Sequence, residues 1–304
     1  MNNVLFTKAY FYRNLKDYKF TNKLTAEKQK EIVEKLSEIL KDFEFIKYDE
    51  TNEKITKFLN KNYVNFADLN RMFINEKSGV IIQLFGNEHI KICATSLDCG
   101  QTAYKKVKDV ADLLANSINL AYQDNFGYLM SDITKIGTGL NFESEISLPC
   151  VEELGKIEQI KNNLKKLGYE LQKTKYKHVY KLQTLCNLGK TEKEILENNE
   201  KMLKNLQEIE IESAKMIDIG SHDEIVDKAY RSLAILKSAY LLTSEELNAL
   251  LTNLRIGLNL NIFEIEDNKV QKLQGLAYNK NSDFVSQSEL KKLAKKVQEV
   301  LKGE

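Results

Sequence analysis

The hydrophobic period of the chain changes partway along its length, and that change limits the fold more than any other feature. Up to about residue 217, short apolar runs with strand spacing are interleaved with helical patterns. Beyond that point every apolar series recurs at the spacing of a helix. At 304 residues and ~150 residues per domain, the chain is long enough for two domains. The pattern places them at 1–217, with strands and helices, and 218–304, with helices alone.

Within the first segment, Val80-Ile81-Ile82-Gln83-Leu84-Phe85 and Ile90-Lys91-Ile92-Cys93-Ala94 flank the turn residues Gly86-Asn87-Glu88, the pattern of a hairpin. Phe142 to Leu148 alternates as a strand, and Tyr169 to Leu182 reads as strands around a polar turn. Thr25 as an N-cap, Glu27 in the first turn, and Ile32, Leu36, Ile39 and Leu40 on one stripe predict an amphipathic helix. Ala103 to Ala121 predicts a second helix lying over the sheet, and Ile157 to Leu167 a third. A capped helix starts at Thr191 with Glu194 three residues on, and its apolar series runs to Ile209. Separate helices are predicted over Ile225–Leu241, Thr243–Leu254 and Ser286–Leu301, the last two opened by Thr243 with Glu246 and Ser286 with Glu289. The fold class is therefore α+β: an antiparallel sheet flanked by helices, then a helical domain. The strict strand–helix alternation of a doubly wound parallel sheet is absent.

Lys+Arg 45 against Asp+Glu 44 gives a net charge of +1, which offers no global field to nucleic acid or to an anionic membrane. The apolar runs fall short of the ~20 residues a spanning helix needs, and Met1-Asn2-Asn3-Val4 lacks a signal-peptide layout. A cytoplasmic location is expected. Cys93, Cys99, Cys150 and Cys186 are widely spaced, with only His89, His178 and His222 to join them, so free thiols are expected rather than zinc or a disulfide framework. Arginine is scarce: Arg13, Arg71, Arg231 and Arg255 are the only four. A site needing several bidentate phosphate clamps is hard to build from so few.

Several short strings are unspecific alone but fall in an informative order: Arg13-Asn14-Leu15, Asn75-Glu76, Gly127-Tyr128-Leu129, Ile136-Gly137-Thr138-Gly139-Leu140, Leu148-Pro149 and Leu188-Gly189-Lys190-Thr191-Glu192. In this succession the chain resembles the ATP:guanido phosphotransferases. Tyr230-Arg231-Ser232 with Ile235-Leu236, then Arg255-Ile256-Gly257-Leu258, resemble the helical C-terminal domain of the bacterial protein arginine kinases. The resemblance implies a site in which arginines clamp the phosphates of Mg-ATP while two carboxylates orient and deprotonate a guanidinium. Such chemistry needs these groups because phosphoryl transfer is mostly positioning and charge neutralisation.

Position by position, the resemblance implies a degenerate site. Lys8 and Tyr10 stand where the family has two phosphate-binding arginines, upstream of Arg13. Glu76 is retained, but the catalytic glutamate position after it is Lys77, and a further arginine position is Ile81. Asp132 replaces the reactive cysteine, Asn141 the arginine after Gly-Thr-Gly-Leu, and Gln172 the arginine of a glycine-bearing loop whose glycines are missing between Gly168 and Tyr180. The phosphoarginine motif Arg-Asp-x-x-Arg-Ala corresponds to Ser288-Glu289-Leu290-Lys291-Lys292-Leu293, without its arginines.

The functional expectation is a pseudokinase, with no catalytic residues, no metal and no cofactor, acting through a protein partner: an arginine kinase, its activator, a Clp-type unfoldase, or a second copy through the helical domain. The alternative is an active kinase using Mg-ATP on arginine or another guanidino group. Lys8 and Arg13 are the candidate residual nucleotide-binding residues, read otherwise as a solvated lysine and a fold-stabilising arginine. Glu76 is read as a guanidinium contact or an ordinary strand-end carboxylate. Lys173, Lys175, Lys177 and Lys181 around His178 form either a basic patch or a solvated hairpin.

Overall fold

A computed structural model describes residues 3–47, 50, 52–64, 71–278 and 286–302, the side chains at 218–221 and 278 excepted. Its elements run β1 (Val4–Arg13), α1 (Ala26–Ile39), β2 (Glu44–Lys47), α2 (Glu53–Lys61), β3 (Arg71–Asn75), β4 (Val80–Leu84), β5 (Ile90–Ser96), α3 (Gln101–Ser117), β6 (Tyr122–Gln123), β7 (Gly127–Tyr128), β8 (Leu140–Ser147), α4 (Pro149–Glu153), α5 (Ile157–Lys166), β9 (Tyr169–Lys173), β10 (Val179–Thr184), α6 (Glu192–Ser238), α7 (Ser244–Asn259), α8 (Asp267–Tyr278) and α9 (Gln287–Lys302). Eight strands form one sheet in the order β2-β3-β4-β5-β1-β8-β10-β9, and β6 pairs with β7 in a small ribbon. The pairs β2–β3, β3–β4, β4–β5 and β5–β1 are antiparallel. The chain divides into two compact units, Phe6–Ser144 with Gln183–Lys201, and Met1–Leu5 with Glu145–Leu182 and Met202–Glu304. Among the described residues no helix is long and apolar enough to cross a membrane.

In the first unit the two faces of the sheet are packed differently. Ala9 and Phe11 of β1, Phe73, Val80, Ile82, Ile90, Ile92 and Ala94 join Ile32 and Leu36 of α1 and Val107, Ala111 and Leu114 of α3 in one core. Because side chains alternate along a strand, the even residues of β1 face the other way. On that side Ile55 and Leu59 of α2 pack over Ile46, Met72, Ile74 and Ile81. Each fully buried aliphatic side chain contributes about 1.5–3 kcal/mol, so the apolar stripes of these helices decide which face each one covers. Lys8, Tyr10 and Tyr12 lie on the α2 side of the sheet, outside the apolar cluster that α2 forms among the described residues.

In the second unit Leu236, Leu242, Leu247, Leu251, Leu254, Leu273, Ala277, Ala294 and Val297 make a separate helical core drawn from α6 to α9.

Two sequence expectations change. The helix predicted over Ala103–Ala121 stops at Ser117, because Ile118 turns extended (φ −139°, ψ 154°) and Leu120 pairs with Leu15 while the Ala121 N–H donates to Asn14 O at 2.7 Å. The helices predicted to end near Ile209 and to restart at Ile225 are one helix, α6, of 47 residues. Gly220 lies in its middle, and a lone glycine costs a helix only ~1 kcal/mol, whereas a proline there would have ended it.

Candidate functional site

Of the sequence-derived site residues, Lys8, Tyr10 and Ile81 lie on the face of the sheet not covered by α1 and α3. Tyr10 on β1 pairs with Cys93 on β5, which pairs with Ile81 on β4, which pairs with Ile74 on β3. This register row crosses the sheet from an apolar end to a polar one. At the polar end the Lys8 Nζ lies 3.5 Å from Glu143 Oε1, and the Tyr10 hydroxyl donates to the same oxygen at 3.4 Å. The Lys91 ammonium sits 4.0 Å from the centroid of the Tyr10 ring, and that of Lys135 sits 4.8 Å from the Tyr12 ring. Burial, followed by the negative charge of Glu143, pushes the phenols of Tyr10 and Tyr12 well above their ordinary range. Burial likewise pushes the Cys93 thiol up, against the pull of Lys91 and Lys8. Both tyrosines and the cysteine are thus kept neutral, and none is poised as a nucleophile.

Arg13 takes no place on that face. It is 2 % exposed, and its guanidinium lies 3.6 Å from the Tyr128 ring centroid and 4.7 Å from that of Phe11. Its Nη1 donates to Tyr12 O at 2.7 Å and Thr138 O at 2.9 Å. The Gly137-Thr138-Gly139 string is therefore tied down by an arginine from within. Gly139 has φ +68°, and a Cβ there would come within 2.7 Å of Arg13 Nη1 and of Tyr12 O. The glycine is required by the close approach of these groups.

Elsewhere in this unit, Glu76 opens the turn after β3 and pairs with Lys54 at 2.7 Å beside a cleft of about 380 Å³ lined also by Asp42, Glu44 and Lys77. The Lys77 N–H donates to Asn75 Oδ1 at 3.1 Å within the β3–β4 turn. Ile81 is fully buried under α2. Asp132 accepts from the Thr134 N–H (3.0 Å) and hydroxyl (2.7 Å) and pairs with Lys135 at 3.2 Å, and the Thr134 bonds lead in holding its carboxyl below the usual range. Asn141 accepts from the Asn187 side-chain amide at 2.7 Å. Of the positions singled out from sequence, Lys8 and Tyr10 meet at one group, whereas Glu76, Lys77, Asp132 and Asn141 are each engaged in a turn, surface pair or local bond of their own.

Gln172 lies on β9 of the second unit, half-buried. In that unit the basic hairpin is partly neutralised: Glu152 takes Lys173 at 2.5 Å and His178 Nδ1 at 3.0 Å. His178 holds a left-handed backbone (φ +59°) on a cleft of about 420 Å³ shared with Lys177, Glu224, Lys228 and Asn253.

Sequence reasoning missed Glu143, the acid that receives both Lys8 and Tyr10. The available signal was the charge pattern Asn141-Phe142-Glu143-Ser144-Glu145, a strand in which the polar face carries acids. Among the described residues no cluster of three or more His, Cys, Asp or Glu has a metal-binding arrangement.

A large antiparallel sheet flanked by helices, together with the ordered motifs, is the framework of a guanidino-group phosphotransferase, and the chain belongs to the ATP:guanido phosphotransferase family, its residues 3–213 matching that family's C-terminal catalytic domain. Residues 222–304 match the C-terminal domain of the protein-arginine kinase McsB, which places the chain close to the McsB type. Its relatives include the protein-arginine kinases of Clostridium botulinum (29 % identical over 290 residues, 90 % of this chain and 85 % of that one) and Clostridium novyi (26 % over 329 residues, 99 % and 95 %). The fold is also that of the duplicated taurocyamine kinase of Schistosoma mansoni, with a TM-score of 0.62 at 17 % identity over 80 % of this chain. This chain spans 38 % of that duplicated one. Lombricine kinase gives a TM-score of 0.58 at 13 % identity, over 68 % of this chain and 66 % of that one.

Proposed function

We propose that this chain is a catalytically degenerate relative of the protein-arginine kinases that serves as a binding or regulatory partner in bacterial protein quality control or the stress response. The observation that carries this reading is the fate of Ile81. It stands at a family arginine position and is sealed under α2 among Ile46, Ile55, Leu59, Met72 and Ile74. Lys77, at the position of a catalytic carboxylate, reverses its charge and sits in a turn. Losing one transition-state donor costs ~10²–10³ in rate, and here several are replaced together with the base. The residues present do not fit the phosphates of Mg-ATP: of the replaced clamps only Lys8 is cationic, and it is engaged by Glu143.

A cytoplasmic protein partner fits this reading: an arginine kinase, its activator, a Clp-type unfoldase, or a second copy docking through the helical domain. Exposed Met216, Tyr230 and Tyr240 in and just after α6 supply apolar contact area for one. The competing reading, an ATP-dependent kinase acting on protein arginine, is favoured by the alignment of the named kinases over most of their length.

The test incubates the purified chain with Mg-ATP and an arginine-rich acceptor protein, reading phosphoarginine by mass spectrometry and nucleotide binding by thermal shift. Neither signal is expected. Phosphoarginine that depends on the chain and on ATP overturns the reading.

A further inference from the structure

Glu143 has a role on the sheet face beyond that of one more surface acid. Lys8 and Tyr10 are two residues apart on β1, so they share a face, and their donors converge on a single atom, Glu143 Oε1, at 3.5 and 3.4 Å. The pair is sheltered, with the Lys8 side chain 12 % exposed and that of Glu143 22 %. Lys91, on the adjoining strand, brings a further ammonium against the ring of Tyr10. Two donors aimed at one oxygen, with more positive charge beside them, form the arrangement that holds one oxygen of a tetrahedral oxyanion. In this chain the oxygen belongs to the protein itself. Both contacts are long for hydrogen bonds, so the donors keep the capacity for a closer anion.

We propose that Glu143 is a built-in counter-anion, occupying between Lys8 and Tyr10 a site that would otherwise take a phosphate-type oxyanion, and that its charge keeps such ligands off the face. This rests on the reading of the chain as a non-catalytic relative and deepens it by naming the residue that closes the site. An incoming phosphate must displace the carboxylate from its two donors, and it meets the repulsion of that carboxylate at close range in a partly water-excluded setting. Removing the charge while keeping the side chain's size opens the site.

The experiment is calorimetric titration of the full chain with inorganic pyrophosphate and, separately, with ADP, for the wild type, Glu143→Gln, and Glu143→Gln combined with Lys8→Met. Glu143→Gln is expected to bind pyrophosphate at least tenfold more tightly than the wild type, and the added Lys8→Met to abolish the gain. ADP binding tighter than pyrophosphate assigns the site to a nucleotide, and equal binding assigns it to the phosphate group alone. A Glu143→Gln protein no tighter than the wild type, or a gain that survives Lys8→Met, overturns the proposal. Glu143→Ser is read in the same way should the glutamine variant not fold. On the wild type itself, acylation of Lys8 as fast as that of Lys30, whose side chain is 80 % exposed, also overturns it. Arginine phosphorylation by the wild type would sink the functional reading alone, whereas indifference of Glu143→Gln to pyrophosphate sinks this inference and leaves that reading standing.

Discussion

Glu210, in the middle of α6, caps a helix far from it in sequence: one carboxylate oxygen accepts the Cys150 N–H at 2.9 Å and the other the Val151 N–H at 3.0 Å. The start of α4 has no local cap, since Leu148 at the N-cap position offers no side-chain acceptor and Pro149 follows it. The two amides that α4 leaves without intrahelical partners are therefore satisfied by a fully buried acid.

That acid makes stability depend on pH in a defined direction. Burial pushes the Glu210 carboxyl up to about 7, while the Cys150 and Val151 N–H bonds pull the other way. A carboxyl whose folded pKa lies above its unfolded value near 4.5 contributes stability that is complete below pH 4.5 and is lost as pH rises through 7. Glu210→Gln removes this titration. Urea unfolding between pH 5 and 8 should show the wild type losing on the order of 2–3 kcal/mol relative to Glu210→Gln across that window. Parallel profiles would mean the acid is ionised throughout.

Arg13 is predicted to be intolerant of substitution by lysine. A lysine keeps the charge but neither stacks between Phe11 and Tyr128 nor bridges the Tyr12 and Thr138 carbonyls with one planar nitrogen. Burial already draws the Arg13 guanidinium down to about 10, so it stays charged at neutral pH, and the more strongly hydrated ammonium would suffer more from the same burial. Arg13→Lys should destabilise by about 2–4 kcal/mol in urea unfolding. A change within about 0.5 kcal/mol, the size of an ordinary surface substitution, would refute the structural role given to it here.

What could be read from sequence was local. The hairpin over Val80–Ala94 is present as β4 and β5, and the caps at Thr25, at Thr191 with Glu194 and at Ser286 with Glu289 bond as their spacing dictates. These signals lie within a turn or two of chain. The central place of β1 in the sheet was not legible, because its aromatic and basic residues gain a strand's meaning only beside β5 and β8. The candidate site divides in the same way. The order of motifs pointed to Lys8, Tyr10 and Ile81, but the acid that Lys8 and Tyr10 meet is Glu143, 135 residues from Lys8, and no short spacing announces it. Glu210 and Cys150, 60 residues apart, were equally out of reach.

An arginine at position 81, where the resemblance to the family would put one, is predicted to damage the fold rather than build a phosphate clamp. Ile81 is 0 % exposed, beneath Ile55 and Leu59 of α2, and a guanidinium there would have to be buried without a carboxylate or displace the helix. Ile81→Arg should cost more than about 3 kcal/mol, read as a fall in Tm, and should yield no Mg-ATP binding. A stable Ile81→Arg protein that binds nucleotide would show that α2 yields readily and that the site's closure is reversible.

The acid limb of stability should belong to His89. Its ring is buried beside Tyr18, Nδ1 accepts the Leu15 N–H at 3.1 Å, and Nε2 lies 2.8 Å from Lys19 O. An acceptor at one nitrogen and a carbonyl at the other require the neutral ring with its proton on Nε2. The buried Glu88 next to it is occupied by the Asn14 amide at 2.5 Å and by the Ser131 N–H and hydroxyl. Burial is the main cause that lowers the His89 pKa below 6.5, against the Lys19 bond and the charge of Glu88. A base depressed in this way lends stability that is complete above pH 6.5 and is lost as pH falls from there toward the folded pKa, because the unfolded ring takes up its proton first. Protonation in place would also set an N–H against that of Leu15. Glutamine can donate to one carbonyl and accept from one amide without titrating, so His89→Gln should flatten the decline in Tm between pH 6.5 and 5 while lowering Tm at pH 8. A wild type and variant that lose Tm in parallel over that interval would assign the acid limb to the carboxylates instead.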